Sequence, residues 1–338
     1  MAVSPVSFSK TPQAKDDLFA NALTEDSLKA VFDVMGNDSG GAAKKIYSLD
    51  NGDDDRDLLT RDSGRIAGAS NDFSAKGAKI WITSDGKVGY DAGALSARLQ
   101  SLALGQSFED SFTYAIQMGN GTISVAKVTI VIAGTNDGPQ ITSAAQIGAV
   151  NEDGVERVSG QVTASDVDNG DHQLYSLPDG GAGTYGSLNL NPTTGAWTYT
   201  LNNGAANVQA LAQGEMHVET FTVRVTDDFG ANASQVVKVT VSGTNDGPQI
   251  TSGDQTGATT EDVVPGASGR VTASDVDNGD HLHFAVLGSG VGTFGSLAVN
   301  GTTGVWTYAL DDGLAGVQAL AKGESRVESF TEIGREHV

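Results

Sequence analysis

Apolar and polar residues alternate over several stretches of the chain, a pattern that predicts half-buried β-strands. The alternation is clear at residues 220–225, Thr-Phe-Thr-Val-Arg-Val, and at 236–241, Val-Val-Lys-Val-Thr-Val. Residues 207–213 instead space their apolar side chains like a short helical turn. Clusters of Asn, Asp, Gly and Pro predict the turns between strands, at 191–195, 202–204 and 227–230.

The same pattern returns 109 residues later without insertion or deletion. The run Gly-Thr-Asn-Asp-Gly-Pro-Gln-Ile-Thr-Ser stands at 134–143 and again at 243–252. The tryptophans at 197 and 306 have the same spacing, and we expect both in a core. About seven short strands in a repeat of this length are typical of a Greek-key β-sandwich. The sequence therefore predicts an all-β chain of tandem Greek-key β-sandwich domains.

The repeat offset also predicts the domain organisation. We expect an N-terminal tail, a diverged first sandwich, a second sandwich and a third sandwich, at 1–12, 13–133, 134–242 and 243–338. The first sandwich has a longer front half, whose acidic run at 53–57 predicts an exposed loop. Residues 332–338 match nothing upstream, so we expect the last sandwich to be incomplete, through truncation or a frame disruption, with a genuine short ending as the alternative.

Charge and composition narrow the classes of partner. The chain has 42 Asp and Glu against 20 Lys and Arg, a net charge of −22, which argues against nucleic acid and anionic membrane as partners. The absence of cysteine excludes disulfides and thiolate metal sites. No apolar run reaches the roughly 18 residues of a membrane span, so no membrane insertion is expected, and residues 1–15 lack the apolar core of a Sec signal.

Acidic residues recur in three places of each repeat. One is the linker Asn-Asp, another is the loop Asp-Val-Asp-Asn-Gly-Asp at 166–171 and 275–280, and the third is the turn at 227–228. In a Greek-key sandwich these three regions can meet at one end, where carboxylate, amide and carbonyl oxygens would suit calcium better than magnesium. The alternative is that each Asp or Asn only stabilises its own turn through backbone hydrogen bonds.

The ordered motifs resemble the VCBS repeat family of cadherin-like domains. They are Val-Thr-Ala-Ser-Asp-Val-Asp at 162–168, Gly-Thr-Tyr-Gly at 183–186, Asn-Pro-Thr-Thr-Gly at 191–195, Phe-Thr-Val-Arg-Val-Thr-Asp-Asp at 221–228 and the linker Thr-Asn-Asp-Gly-Pro. The resemblance covers residues 134–331 and extends more weakly to the first domain. It implies a cadherin-like, Ig-like sandwich in a bacterial surface or secreted protein, an RTX-type adhesin of biofilms exported by type I secretion.

The resemblance also implies a set of structural Ca²⁺ ligands, with two early glutamates reaching toward the following linker. The candidate ligands are Asn136, Asp137, Glu152, Asp166, Asp168, Asp171, Asp227, Asn245, Asp246, Glu261, Asp275, Asp277 and Asp280. The acidic triplet of cadherins has no counterpart at 201–203, which argues against linkers that hold three ions. Met118 and Gly119 stand where the first domain would carry the acidic turn.

The sequence favours a calcium-stabilised extender segment of a secreted or cell-surface adhesin, and not an enzyme. No nucleophile elbow or phosphate loop is present, and a zinc site at His281 and His283 lacks supporting ligands. A pair of loop carboxylates could serve glycoside hydrolysis, but both copies of the loop carry them. Two alternatives stay open: a module that binds carbohydrate or a partner, and a non-catalytic domain of a secreted enzyme. Contacts with surface polysaccharide or other cells would come from regions outside this chain.

Overall fold

The computed structural model describes residues 13–41, 44–52, 58–59, 61–62, 72–117, 119 and 121–336. In these residues the chain is mainly β-strand, with a few helices of one turn. The expected tail at 1–12, the acidic run at 53–57 and Met118 lie outside the described residues. The chain is all-β, as the alternating pattern predicts.

The strands and helices follow one another along the chain with short turns between most of them. In order they are β1 (Asp17–Thr24), β2 (Lys29–Phe32), β3 (Lys45–Asp50), β4 (Asp72–Phe73), β5 (Lys79–Ile82), β6 (Val88–Asp91), the 3-10 helix η1 (Gly93–Leu95), α1 (Ser96–Leu99), β7 (Ser107–Gln117), β8 (Ile123–Ala133), β9 (Gln140–Ile141), β10 (Gln146–Asn151), β11 (Arg157–Gln161), β12 (Ala164–Ser165), β13 (Leu174–Ser176), β14 (Gly186–Leu190), β15 (Ala196–Leu201), α2 (Ala206–Gln209), β16 (Met216–Thr226), β17 (Asn232–Ser242), β18 (Gln249–Ile250), β19 (Gly266–Arg270), β20 (Ala273–Ser274), β21 (Leu282–Val286), β22 (Gly295–Val299), β23 (Val305–Leu310), α3 (Ala315–Gln318) and β24 (Glu332–Glu336).

A first compact unit comprises Met1–Thr142, Thr163–Tyr175 and Arg224–Ser234. It contains two four-stranded sheets, with strand orders β1-β8-β7-β3 and β2-β6-β5-β4. β1 runs parallel to β8, whereas β7 pairs with β8 in an antiparallel ladder of eleven residue pairs. The two sheets share one apolar core, which includes Tyr90, Phe112 and Ile130, all with 0% exposure. This packing of two sheets over one core is a β-sandwich.

A second compact unit comprises Ser143–Val162, Ser176–Val223 and Gln235–Val338. It holds the three-stranded sheets β11-β15-β14 and β19-β23-β22, which occupy matching positions in the second and third repeats. β10 pairs in parallel with β17, and a sheet of four strands has the order β10-β17-β16-β13. In the third repeat, β21 pairs with β24 alone in a two-stranded sheet. The Greek-key β-sandwich predicted from the sequence is confirmed as the fold.

Glycines opposite the tryptophans explain why two repeat positions lack a side chain. Gly160 pairs with Trp197 across β11 and β15, and Gly269 pairs with Trp306 across β19 and β23. A Cβ atom at Gly160 would lie 2.6 Å from Cζ2 of Trp197. The indole ring therefore lies directly over the glycine backbone, and both tryptophans are buried as expected.

Several sequence predictions are confirmed by the strands. The alternating segments at 220–225 and 236–241 lie in β16 and β17, and the helical turn expected within 207–213 overlaps α2. The domain boundaries at 133/134 and 242/243 stay predictions. None of the helices in the described part of the chain is long and apolar enough to cross a membrane.

Candidate metal sites

The linker and the acidic loop of the second repeat are brought together by a short strand pair. β12 pairs antiparallel with β9, so that Ser165 lies opposite Gln140. The pairing places the loop that follows β12 beside the linker that precedes β9. As a result the backbone N–H of Asp137 donates a hydrogen bond to Oδ2 of Asp168 at 2.9 Å.

The loop after β12 curls its carboxylates toward one point. The N–H of Asp168 donates to Oδ1 of Asp166 at 3.0 Å, which closes a turn within the loop. Gly170 continues the turn with φ = 89°, a conformation that favours glycine. Asp166, Asp168 and Asp171 each offer a carboxylate oxygen, and these atoms lie within 4.8 Å of one another.

The late turn supplies a further carboxylate to the same region. Asp227 Oδ1 accepts hydrogen bonds from the N–H groups of Phe229 and Ala231, both at 2.9 Å, so the turn after β16 holds the side chain in place. Asp227 Oδ2 accepts a bond of 3.0 Å from Nδ2 of Asn136. The amide of Asn136 is thereby oriented, and its Oδ1 is buried with no hydrogen-bond partner.

Glu25 belongs to this cluster, although the sequence analysis did not single it out. Its side chain has 0% exposure, and Oε1 accepts bonds from the N–H and the hydroxyl of Thr135 at 2.6 and 2.7 Å. Oε2 has no partner. Oxygen atoms of Glu25, Asp137 and Asp168 lie within 4.8 Å of one another. The signal in the sequence is the Glu-Asp dipeptide at 25–26, which recurs at 152–153 and 261–262.

We refer to these side chains as the first acidic cluster: Glu25, Asn136, Asp137, Asp166, Asp168, Asp171 and Asp227. Six of its oxygen atoms are buried and without a hydrogen-bond partner, namely Glu25 Oε2, Asn136 Oδ1, Asp137 Oδ2, Asp166 Oδ2, Asp168 Oδ1 and Asp171 Oδ2. Burial of oxygens without a hydrogen-bond donor is costly for a protein, and a cation is one kind of partner that could offset this cost. The donor set consists of carboxylate and amide oxygens, which fits a hard cation such as Ca²⁺.

Electrostatics supports the same interpretation. Burial, followed by the charges of Asp168 and Glu25, raises the pKa of Asp137. Burial and the charge of Asp166 likewise raise the pKa of Asp168, against the hydrogen bond from Asp137, which lowers it. Burial, Asp166 and Asp168 raise the pKa of Asp171. The carboxylates therefore repel one another, and a bound cation would relieve this repulsion.

A second acidic cluster repeats the arrangement in the third repeat, with Glu152, Asp246, Asp275, Asp277 and Asp280. The N–H of Asp246 donates to Oδ2 of Asp277 at 2.9 Å, and the N–H of Asp277 donates to Oδ1 of Asp275 at 3.1 Å. Asp246 Oδ2, Asp275 Oδ2 and Asp277 Oδ1 are buried without partners. Burial raises the pKa of Glu152 first, and the charges of Asp246, Asp153 and Asp277 raise it further.

The two clusters differ at the asparagine of the linker. Nδ2 of Asn136 donates to Asp227, whereas Nδ2 of Asn245 donates at 2.9 Å to the carbonyl oxygen of its neighbour Asp246. Asn245 is also exposed, unlike Asn136. The second cluster is therefore less complete among the described side chains. Glu261 is half-buried with Oε2 unpaired, but it shares none of the groups of converging acids in the described residues.

Among the histidines, His172 has a structural partner. His172 Nδ1 lies 3.0 Å from Oδ2 of Asp228, and this hydrogen bond raises the pKa of the histidine. His281 and His283 belong to no group of possible metal ligands in the described part of the chain.

Another acid recurs in all three copies, and it supports a turn instead of a cation. Glu219 accepts hydrogen bonds from the hydroxyl of Tyr199 and the N–H of Tyr185. Asp110 with Tyr90 and Glu328 with Tyr308 repeat the pair. Burial, followed by the hydrogen bond to the acid, raises the pKa of all three tyrosines, so each hydroxyl stays protonated.

Comparison with known proteins identifies one part of the chain. The family model described as "Bacterial cadherin-like domain" matches residues 136–243, which cover nearly all of the second repeat. This repeat is therefore similar to bacterial cadherin-like domains. A search of curated proteins finds no match.

Three cadherin structures are among the solved structures similar to this chain. PcdhgB3 EC1-4 has 16% identity and a TM-score of 0.45, and the alignment covers 89% of this chain and 67% of that one. Human CDH23 EC21-23 has 17% identity and a TM-score of 0.43, with coverage of 97% and 99%. Mouse Cadherin-23 EC22-24 has 16% identity and a TM-score of 0.43, with 89% of each chain covered.

Proposed function

We propose that this chain is a calcium-stabilised extender segment of a secreted or cell-surface bacterial adhesin, built from repeats of the VCBS type. The observation that carries the proposal is the first acidic cluster, in which six buried oxygens from three separate regions of the chain, the end of β1, the linker and the loop after β12, have no hydrogen-bond donor. A match of the second repeat to the bacterial cadherin-like domain supports it.

The residues of the first cluster would hold the ion through side-chain oxygens. Glu25, Asp137, Asp166 and Asp168 would supply carboxylates, and Asn136 would supply its amide oxygen, since its Nδ2 is already engaged by Asp227. Calcium accepts six to eight oxygen ligands in flexible geometry, whereas magnesium requires a stricter octahedron. Five residues from the linker, the loop and the end of β1 therefore fit calcium better.

Bound calcium would act mechanically. It would neutralise repelling carboxylates and tie the linker at 136–137 to the loop at 166–171 and to Glu25. At free calcium tenfold to a hundredfold above Kd, the expected stabilisation is about 1–3 kcal/mol per site. The chain would thus be stiffer in calcium-rich surroundings than in calcium-poor ones.

A titration with three ions tests the proposal. Isothermal titration calorimetry with Ca²⁺ on chelator-treated protein should show saturable binding, with a Kd on the order of 10⁻⁴ to 10⁻³ M. Mg²⁺ at the same concentration should bind more weakly, and K⁺ at matched ionic strength should control for screening of the net charge. We expect Ca²⁺ to raise Tm and to reduce the flexibility measured by small-angle scattering. Identical melting and scattering curves with calcium and with chelator would refute the proposal.

The adhesin role has a separate test in cells. Antibodies against the repeats should label intact bacteria or their medium, and a type I export mutant should retain the protein inside. Biofilm mass should fall when the repeats are deleted in frame. Unchanged labelling in the export mutant would contradict this route of secretion while leaving calcium binding to be judged by calorimetry.

A further inference from the structure

Asn-Gly dipeptides recur between the strands of this chain. In the described residues they stand at 51–52, 169–170, 203–204, 278–279 and 300–301. An asparagine in this position is open to attack by the backbone nitrogen that follows, because glycine has no side chain to hinder the approach. At 51–52 this nitrogen is already engaged, since the N–H of Gly52 donates to Oδ2 of Asp50 at 2.7 Å.

Hydrogen bonds hold the side chains of two further asparagines. Oδ1 of Asn203 accepts a bond of 3.1 Å from the N–H of Asp153, and Nδ2 of Asn203 donates to Oδ1 of Asp153 at 2.6 Å. Oδ1 of Asn300 accepts bonds of 3.1 and 3.0 Å from the N–H groups of Thr302 and Thr303. Each of these amides must lose its hydrogen bonds before it can react with the following nitrogen.

Asn169 and Asn278 are different, and they occupy the same position in the two acidic loops. Both are exposed, and neither side-chain amide has a hydrogen-bond partner among the described residues. Only their backbones are anchored: the N–H of Asn169 donates to the carbonyl of Ser101 and that of Asn278 to the carbonyl of Ala210, both at 3.1 Å. The carbonyl of Asn169 also accepts a long bond of 3.4 Å from Nε2 of Gln106.

The peptide that follows each of these asparagines has room to rotate. A Cβ atom at Gly170 or Gly279 would meet nothing within 4 Å, and both glycines have a positive φ, 89° and 88°. The turn around Gly170 is closed by a bond from the N–H of Asp171 to the carbonyl of Asp168, and its length of 3.4 Å makes it weak. The nitrogen of the glycine can therefore reach the side chain before it.

We propose that Asn169 and Asn278 are modification sites, at which spontaneous deamidation makes each acidic loop more acidic or longer. Hydroxide takes the proton of the Gly170 nitrogen, which attacks Cγ of Asn169. The new N–Cγ bond closes a succinimide ring, the Cγ–Nδ2 bond breaks, and ammonia leaves with a proton from water. Water then opens the ring at Cγ to give Asp, or at the main-chain carbonyl to give isoAsp. Asn278 reacts with Gly279 in the same way.

Either product changes the loop of its acidic cluster. Carboxylate oxygens of Asp166, Asp168 and Asp171 already lie within 4.8 Å of one another, so a further negative charge at 169 increases their repulsion. In isoAsp the backbone runs through Cβ and Cγ, which lengthens the loop between Asp168 and Asp171. The reaction itself does not depend on calcium, whereas any effect on calcium affinity rests on the proposed function.

Incubation in water labelled with a heavy oxygen isotope tests the proposal. The full chain is kept in chelator at mildly alkaline pH, digested in ordinary water and analysed by peptide mass spectrometry. We expect the label at Asn169 and Asn278, and at least about tenfold slower labelling at Asn203 and Asn300, whose hydrogen bonds must break first. Equal labelling of all four sites in the folded chain would overturn the proposal.

The same incubation in urea separates the fold from the local sequence. Unfolding frees every side-chain amide, so the four rates should converge. If Asn203 and Asn300 stayed slow in urea, the sequence around them would set the selectivity and the structural argument would fail. So would an unlabelled Asn169 and Asn278 in the folded chain after a time that labels them in urea. Because these measurements are made in chelator, their failure would leave calcium binding to be judged by calorimetry.

A variant that mimics one product tests the effect on the loop. Asn169→Asp should lower Tm in chelator, because the new charge lies among like charges. Asn189→Asp, at an exposed position of β14, adds the same charge outside the acidic loop and should leave Tm nearly unchanged. Equal Tm values for the two variants would contradict the effect of deamidation on the cluster.

Discussion

The backbone N–H of Asp137 donates a hydrogen bond of 2.9 Å to Oδ2 of Asp168, which leaves Oδ1 of Asp168 buried and unpaired. Asp246 and Asp277 repeat the same relationship, again at 2.9 Å and again with Oδ1 unpaired. One carboxylate oxygen thus fixes the linker, and the other stays available. This division of roles distinguishes a candidate ligand from an acid that only stabilises its turn.

Replacing the available oxygen should have opposite effects with and without calcium. Asp168→Asn keeps an acceptor for Asp137 but removes one charge from the first acidic cluster. We expect unfolding free energy in chelator to rise by about 1 kcal/mol, because repulsion and desolvation fall. In calcium we expect it to drop by about 1–3 kcal/mol, because binding is lost. Urea unfolding under both conditions measures this.

The exposed Asp179 provides the control for charge alone. Asp179→Asn removes the same charge outside the cluster, so its unfolding curves should change by less than about 0.5 kcal/mol in either condition. If Asp168→Asn were destabilised equally in chelator and calcium, its carboxylate would have a structural role without metal.

Glu25 should matter as much as the acids of the loop. Glu25→Gln retains an oxygen that can accept from Thr135, while its NH₂ group replaces the unpaired Oε2. Calcium affinity should fall by about tenfold or more, because a carboxylate ligand is lost from a buried position. Calorimetry on Glu25→Gln measures the loss, and Glu109→Gln on the exposed side of β7 is the matched control. Equal affinity in both variants would remove Glu25 from the proposed ligand set.

The tyrosine and acid pair of each repeat should contribute stability independently of calcium. Tyr199→Phe leaves Oε2 of buried Glu219 without its donor, so we expect a loss of about 1–3 kcal/mol. Tyr308→Phe should cost less, because both Tyr308 and Glu328 are partly exposed and water can replace the hydroxyl. Denaturant unfolding with and without calcium should give the same two losses. A calcium-dependent difference would contradict a purely structural role for the pair.

Asp17 should make the first unit more stable in mild acid. Burial raises the pKa of Asp17 from 3.8 to about 6. The hydrogen bond from Tyr114 lowers this pKa, whereas the charges of Asp38 and Asp16 raise it further. Between these two values the folded protein holds a proton that the unfolded chain has released. The contribution of Asp17 to unfolding free energy is therefore fully present below pH 3.8 and is lost as the pH rises through about 6.

Asp17→Asn tests this sign. At pH 7 the variant should be more stable than the parent by about 1 kcal/mol, a value reduced for the partial exposure of the side chain. Below about pH 3 the difference should vanish, because Asp17 is then neutral in both the folded and the unfolded state. Chemical unfolding of the parent and the variant at both pH values measures this difference in stability, with Asp179→Asn as the control. A variant that is less stable at pH 7 would show that the ionised carboxylate is favourable.

Local patterns in the sequence determined the strands, the turns and the repeat. Alternation of period two depends only on which face of a strand is buried, so β16 and β17 could be predicted from residues 220–225 and 236–241. Because the offset of 109 residues is constant, equivalent positions in the second and third repeats could be predicted to have the same environment. The acidic loop and the linker could be paired in advance, because a Greek-key sandwich brings their ends together.

Only the tertiary structure decided which distant side chains join the acidic loop and the linker. The front half of the first domain is longer, so the fixed offset from Glu152 points to Ala43 instead of Glu25. Parallel pairing of β1 with β8 sets Thr24 opposite Ala133, and this register places Glu25 at the linker. Contacts over more than a hundred residues follow from strand pairing, and no local pattern encodes that pairing.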